Sequence, residues 1–219
     1  MRRIFFIPGL GANEMVFNNI GELGIDKINV KWLQNLDDET INEYSLRLID
    51  KYGLRQDDLI AGLSFGGVLA QEIARILDHR EVILISSFRD IKDLRSVYRF
   101  GLRTGIYKLA PSFRIPVIDE IVAYNVNSEN QESKPIIKQM LDETDYQLLK
   151  WSLEKIAQLP SKPDDKFRIY NIIGNKDKIL RTWKNENTTI IDGGSHFMVY
   201  EKADEVTTVI RTALKRKKV

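Results

Sequence analysis

Leu59-Ile60-Ala61-Gly62-Leu63-Ser64-Phe65-Gly66-Gly67 is a short apolar run that ends in Gly-x-Ser-x-Gly-Gly. A second apolar run, Val68 to Leu77, follows with helix-forming composition. The stretch reads as strand, sharp turn, helix, with a serine at the turn. A serine at the tip of so tight a turn sits in a strained backbone conformation. Its neighbours two positions before and after have to lack bulk, because strand and helix approach closely there. Gly62 and Gly66 meet that need, and Gly67 lets the helix pack near the sheet. The helix N-terminus beneath Ser64 favours negative charge developing nearby. By itself the motif also fits an ordinary glycine-rich turn, so the rest of the chain has to decide.

Working outward, Ile4 to Ile7 reads as a strand that opens into the glycine-rich loop Pro8-Gly9-Leu10-Gly11. A short helical segment is expected near Met15 to Ile20, and a second strand over Ile28 to Leu33. Ile41, Tyr44, Leu48 and Ile49 form a helical stripe within Thr40 to Tyr52. Glu81 to Ser87 is apolar on consecutive positions, as in a strand buried on both faces. Strands and helices alternating at this spacing imply right-handed crossovers and a parallel sheet. The alternation then stops. Residues 88–166 are mostly helical in pattern, broken at Pro111, Pro116 and Pro135, and close with a helix from about Thr144 to Gln158. They read as a helical cap inserted into a core of residues 1–87 and 167–219, its last helix packing back on the sheet. Strands follow at Phe167 to Ile173 and Thr188 to Ile191, and a helix at Ala203 to Leu214 closes the chain.

A serine hydroxyl is a poor nucleophile unless a base takes its proton. That base is usually a histidine, held in the right tautomer by a carboxylate. The chain has two histidines. His79 ends the helix after Ser64 and reads as a capping or surface residue. His196 lies in Gly193-Gly194-Ser195-His196-Phe197, after the last strand, and emerges at the same sheet edge as Ser64. The carboxylate should also come from a strand's C-terminal end. Asp177, in Gly174-Asn175-Lys176-Asp177, qualifies; Asp90, past the preceding strand, is its rival, and Asp192 is too close to His196 in sequence. Two backbone N–H groups would complete the arrangement as an oxyanion hole: Phe65, just after the serine, and Leu10, in the loop after the first strand.

These parts resemble the α/β-hydrolase superfamily, over essentially the whole chain and in its order of serine, acid, histidine. The motifs are Pro8-Gly9-Leu10-Gly11, Gly62-Leu63-Ser64-Phe65-Gly66-Gly67, Ile85-Ser86-Ser87, Gly174-Asn175-Lys176-Asp177 and Gly194-Ser195-His196-Phe197-Met198. More closely, the chain is similar to small bacterial hydrolase-like proteins that begin directly at the oxyanion-loop strand. Leu149-Lys150-Trp151-Ser152 also fits that group. Two departures stand out. Pro8-Gly9 replaces the family's frequent His-Gly, and the usual two first strands are missing. The resemblance implies a three-layer α/β fold with a mostly parallel sheet of about six strands. It also implies a metal-free and cofactor-free serine hydrolase that cleaves an ester or thioester through an acyl-enzyme. Ser64, Asp177 and His196 would be catalytic. A ligand receptor or sensor on the same scaffold, or a lyase using the same triad, are the alternatives.

The composition suits a single globular core. At 219 residues the chain has 43% hydrophobic and 29% charged residues, with a net charge of +2. That balance gives no argument for nucleic acid, and the terminal Lys215-Arg216-Lys217-Lys218 reads as a solvated tail. There is no cysteine, which removes disulfides, thiolate metal sites and cysteine nucleophiles. The apolar start before Pro8 is too short for a signal segment, no stretch has the length of a membrane span, and a cytoplasmic protein is expected. The partner is expected to be a small acyl substrate. Ile91, Leu94, Tyr98, Leu102, Ile106 and Leu109 fall at helical spacing, with Arg95, Arg99 and Arg103 beside them. That basic strip reads as a solvated helix face, or as a docking strip for an anionic acyl carrier.

Overall fold

In a computed structural model of the chain, which describes residues 2–105, 108, 130–159 and 166–215, strands and helices alternate around one sheet. The strands are β1 (Arg3–Ile7), β2 (Asp26–Asn29), β3 (Leu59–Leu63), β4 (Glu81–Ile85), β5 (Arg168–Gly174) and β6 (Thr188–Ile191). They form a 6-stranded sheet in the order β2-β1-β3-β4-β5-β6, with every neighbouring pair parallel. Among the described residues the α-helices are α1 (Ile41–Tyr52), α2 (Phe65–Ile76), α3 (Ser96–Thr104), α4 (Lys134–Asp142), α5 (Tyr146–Ala157), α6 (Met198–Glu201) and α7 (Ala203–Lys215).

Side-chain alternation along the strands splits the core in two. Phe5, Ile7, Ile60, Val82 and Leu84 face one side, packed with Tyr44 and Leu48 of α1, Leu69 and Ile73 of α2, and Trp151 of α5. Ile4, Phe6, Leu59, Ala61, Ile83 and Ile85 face the other, against Ile137 of α4 and Val206 and Ile210 of α7. The result is three layers, helix on sheet on helix. α1 starts where a capping box forms: Glu43 N–H donates to Thr40 Oγ1 at 3.1 Å, and Thr40 N–H donates to Glu43 Oε2 at 2.9 Å. It ends at Gly53, which takes φ 56°.

Several boundaries differ from the sequence expectation, for local reasons. The second strand stops at Asn29 rather than Leu33. Beyond it, Lys31 N–H donates to Tyr52 Oη and Leu33 N–H to Tyr44 Oη, so the backbone donors leave the sheet for two tyrosines. The helix after the serine begins at Phe65, three residues before the expected Val68. The strand ending in Ile85 turns away at Ser86, whose φ is 40°. Ile91 and Leu94 do not share a helix with Tyr98: Ile91–Asp93 is a 3-10 turn capped by Asp90, and α3 runs only from Ser96 to Thr104, ending at Gly105 with φ 70°. Ile106, Leu109, Arg114, the breaks at Pro111 and Pro116, and Arg216 to Lys218 lie outside the described residues. The 3-10 turn Glu14–Phe17 stands where a short helix near Met15 to Ile20 was expected.

Candidate active site

Because all strands run parallel, the loops after β1, β3, β4, β5 and β6 emerge at one edge of the sheet. Leu10, Ser64, Asp90, Asp177 and His196 come out there. His79 sits at the opposite edge, just before β4. It is buried rather than on the surface, and its N–H donates to Ala74 O, closing α2.

Ser64 has φ 51° and ψ −121°, a left-handed region that a non-glycine residue occupies only at a cost. The turn is held from both sides. Ser64 N–H donates to Ile85 O at 3.0 Å, and Ser87 Oγ donates to Ser64 O at 2.7 Å. A side chain at Gly62 would strike the backbone of Gly66 and Gly67, and one at Gly66 would strike the carbonyls of Ile7 and Pro8. The ends of β1 and β3 and the start of α2 are therefore in backbone contact. The same approach lays the loop after β1 across the serine: a Cβ at Gly9 would stand 3.0 Å from Ser64 Cβ. Phe65 is the first residue of α2, so its N–H belongs to the helix's unpaired first turn, while its ring is buried between Trp32 and Trp151.

Asp177 and His196 meet. His196 Nδ1 lies 2.8 Å from Asp177 Oδ2, and both residues are under a tenth exposed. The other carboxylate oxygen, Oδ1, accepts Ile179 N–H at 2.8 Å and Leu180 N–H at 2.9 Å. Burial would push this carboxyl up. The charge and hydrogen bond of His196, with the Leu180 and Ile179 N–H groups, outweigh it and hold the carboxyl below its ordinary value. The two loops are tied directly. Gly174 and Gly194 pack backbone to backbone, Lys176 N–H donates to Gly194 O at 2.9 Å, and Asn175 Nδ2 donates to Asp192 Oδ1 at 2.7 Å. Ser195 Oγ donates to Glu201 Oε2 at 2.7 Å and accepts Phe197 N–H at 3.0 Å, which fixes the turn on either side of His196. The rival Asp90 caps the 3-10 turn, its Oδ1 accepting Lys92 N–H at 2.8 Å.

Arg95 was read as part of a basic strip, and its contacts give it other work. Its Nη2 donates to Asp177 O at 2.7 Å and its Nε to Leu180 O at 3.1 Å, while its own N–H donates to Ile179 O at 2.9 Å. It straps the Asp177 loop to the segment after β4. Nothing in the spacing of arginines marks such a contact, because its partners are main-chain carbonyls some eighty positions away in the chain.

Ser64 and His196 line a single cavity of about 40 Å³, closed by Gly9 to Ala12 on one side and by Ile137, Met140 and Leu141 of α4 on another. The α4 side chains carried no signal in the sequence beyond an apolar helical pattern. A second cleft of about 220 Å³ adjoins it and shares Leu10, Gly11, Ala12 and Met140 as walls. Among the described residues no cluster of three or more His, Asp or Glu side chains is placed to hold a metal ion. No described helix is long and apolar enough to cross a membrane.

No family model matches the chain, and no curated protein matches it by sequence. Solved structures do. The N-acyl homoserine lactonase AidH, complexed with N-hexanoyl homoserine, aligns with a TM-score of 0.75 over 100% of this chain and 90% of its own, at 13% identity. MenH from S. aureus aligns with a TM-score of 0.72 over 100% and 95%, at 16% identity. An esterase from Thermogutta terrifontis aligns with a TM-score of 0.73 over 99% and 90%, at 18% identity. The chain has the α/β-hydrolase fold. The likeness to the lactonase and the esterase extends over 90% of each of those chains. At these identities the shared property is the α/β-hydrolase architecture, and the chemistry has to be argued from this chain's own residues.

Proposed function

We propose that the protein is a serine hydrolase that cleaves a carboxylic ester or thioester through an acyl-enzyme. The observation that carries this reading is the buried Asp177–His196 pair, at 2.8 Å, whose histidine lines the same cavity as a serine held at φ 51°. Ser64 Oγ attacks the acyl carbonyl carbon while His196 Nε2 takes its proton. Asp177 keeps Nδ1–H toward itself, so that Nε2 is the free base, and stabilises the imidazolium that forms. The N–H groups of Leu10 and Phe65 hold the oxyanion, helped by the N-terminus of α2. Collapse breaks the carbonyl carbon–oxygen or carbon–sulfur bond, and His196 gives its proton to the leaving alcohol or thiol. Water then attacks the acyl-serine with His196 again as base, releasing the acid and restoring Ser64.

α4, within the segment read from the sequence as a cap, supplies a wall of the Ser64 cavity through Ile137, Met140 and Leu141. The solved lactonase and esterase structures of the same fold support ester-type chemistry on a small acyl substrate. A cytoplasmic location accords with the cysteine-free composition. The test is labelling with a fluorophosphonate probe together with turnover of activated esters. Ser64→Ala should abolish labelling and lower kcat by about 10⁶, as in serine-triad deletions. Labelling that survives in Ser64→Ala would sink the assignment.

A further inference from the structure

The cavity at Ser64 and the larger cleft beside it divide the substrate between them, and they do so asymmetrically with respect to His196. His196 lines only the small cavity. In the reaction above it has to reach the leaving oxygen, so the leaving group stays on the His196 side. The 220 Å³ cleft shares the Leu10–Ala12 loop and Met140 with that cavity, and His196 takes no part in it. The group left to occupy it is the acyl chain.

The cleft also has a definite size and polarity. At ~30 Å³ per water-sized group its 220 Å³ corresponds to roughly seven such groups, so it encloses more than an acetyl and only part of a long fatty chain. Its apolar walls are Leu10, Trp32, Met140, Leu148 and Leu149, of which Leu10 and Met140 also line the Ser64 cavity. Toward the rim stand Glu14, Glu143 and Asp145 against one cation, Lys31. Lys31 Nζ is already paired with Glu14 at 3.0 Å, and Glu143 is fixed by Asn13 and Gln139. The rim of the cleft therefore carries surplus negative charge on exposed and half-buried side chains, which at low salt disfavours an anion and tolerates a cation.

We propose that this cleft is an acyl subsite for medium-length acyl groups with an apolar body and a neutral or cationic far end. Acyl groups on carboxylate- or phosphate-bearing tails are poor substrates. The inference rests on the serine-hydrolase reading and names its substrate class. Of the arginine strip, Arg95 is already occupied at the Asp177 loop; the acidic cleft bears on the acyl tail and not on the leaving group.

The test keeps one leaving group and varies the acyl group: p-nitrophenyl acetate, hexanoate, dodecanoate, 6-aminohexanoate and the half-ester of adipate. The expected order of kcat/KM puts hexanoate and 6-aminohexanoate above acetate and dodecanoate, with adipate at least about tenfold below 6-aminohexanoate at low salt. The amino-to-carboxylate ratio should shrink as salt rises, because exposed charges are screened over about 8–10 Å. Two variants locate the effect. Leu149→Trp fills the cleft and should cost the hexanoate about tenfold more than the acetate, and Glu143→Lys should erase most of the amino-over-carboxylate preference. A preference for acetate or dodecanoate, equal losses on both esters in Leu149→Trp, or indifference to the terminal charge would overturn the subsite while leaving hydrolysis standing. Failure of every ester, with no probe labelling at Ser64, would bring down the hydrolase reading and this inference with it.

Discussion

At Asp177 both carboxylate oxygens are occupied, one by His196 and the other by two backbone N–H groups of its own turn. A carboxylate so held has one orientation available, which is what a residue that sets a histidine tautomer requires. Asp177→Asn keeps the size but offers an amide where the imidazole N–H needs an acceptor. It should lower kcat by on the order of 10⁴. Asp90→Asn, at the cap of a 3-10 turn, should be mild; steady-state rates on one ester compare the two, and the reverse ranking would move the acid to the earlier strand. Arg95 acts one step further out, on the carbonyl of Asp177. Arg95→Ala should let the acid loop shift and lower kcat by on the order of 10–100-fold with little change in KM. Arg95→Lys, which can reach one of the two carbonyls, should restore part of it. A change confined to KM would assign Arg95 to substrate contact instead.

At the scale of elements, the strand–turn–helix around Ser64 depends on absent side chains rather than on present ones. Gly66 faces the carbonyls of Ile7 and Pro8 so closely that a methyl group has nowhere to go without parting α2 from β1. Gly66→Ala should therefore yield poorly folded protein, seen as a lost cooperative thermal transition. Thr40→Ala removes only the capping box at α1, in an exposed turn, and should cost about 1 kcal/mol in urea unfolding with activity retained. If Gly66→Ala were as mild as Thr40→Ala, the close approach at the serine turn would not be what holds it.

Across the whole molecule, the site is assembled from strand ends far apart in the chain, and the pair that joins the last two is also a stability element. The folded protein holds the Asp177 carboxyl below its ordinary value, so the unfolded chain binds that proton more readily as pH falls. The contribution is complete above the unfolded carboxylate pKa, near 4, and disappears as pH drops through the lowered folded value. Urea unfolding of the protein and of Asp177→Asn, compared between pH 7 and pH 3, should show a stability gap that narrows toward acid. A gap that stays constant would mean the pair contributes nothing through its charge.

The sequence by itself determined the elements whose signal is local. The strand Leu59 to Leu63 and its serine turn, the helix capped at Thr40, the strand Thr188 to Ile191 and the parallel alternation that brings Ser64, Asp177 and His196 to one edge were all legible. Apolar periodicity, caps and glycines act within a few residues. What depends on packing between distant segments was not. The length of β2 was decided by the hydroxyls of Tyr44 and Tyr52, which draw its backbone donors away from the sheet. Asp177, which the sequence already favoured over Asp90, is brought to His196 by how the β5 and β6 loops interlock at Gly174 and Gly194, a contact with no mark in either loop's own residues. The use of Arg95 as a strap, and the closing of the Ser64 cavity by α4, were decided by contacts with carbonyls and apolar walls that leave no pattern in the residues supplying them. A linear pattern records what a segment can become; which surfaces meet is set by the tertiary packing, because burial energy depends on the neighbours a side chain finds and not on its place in the chain.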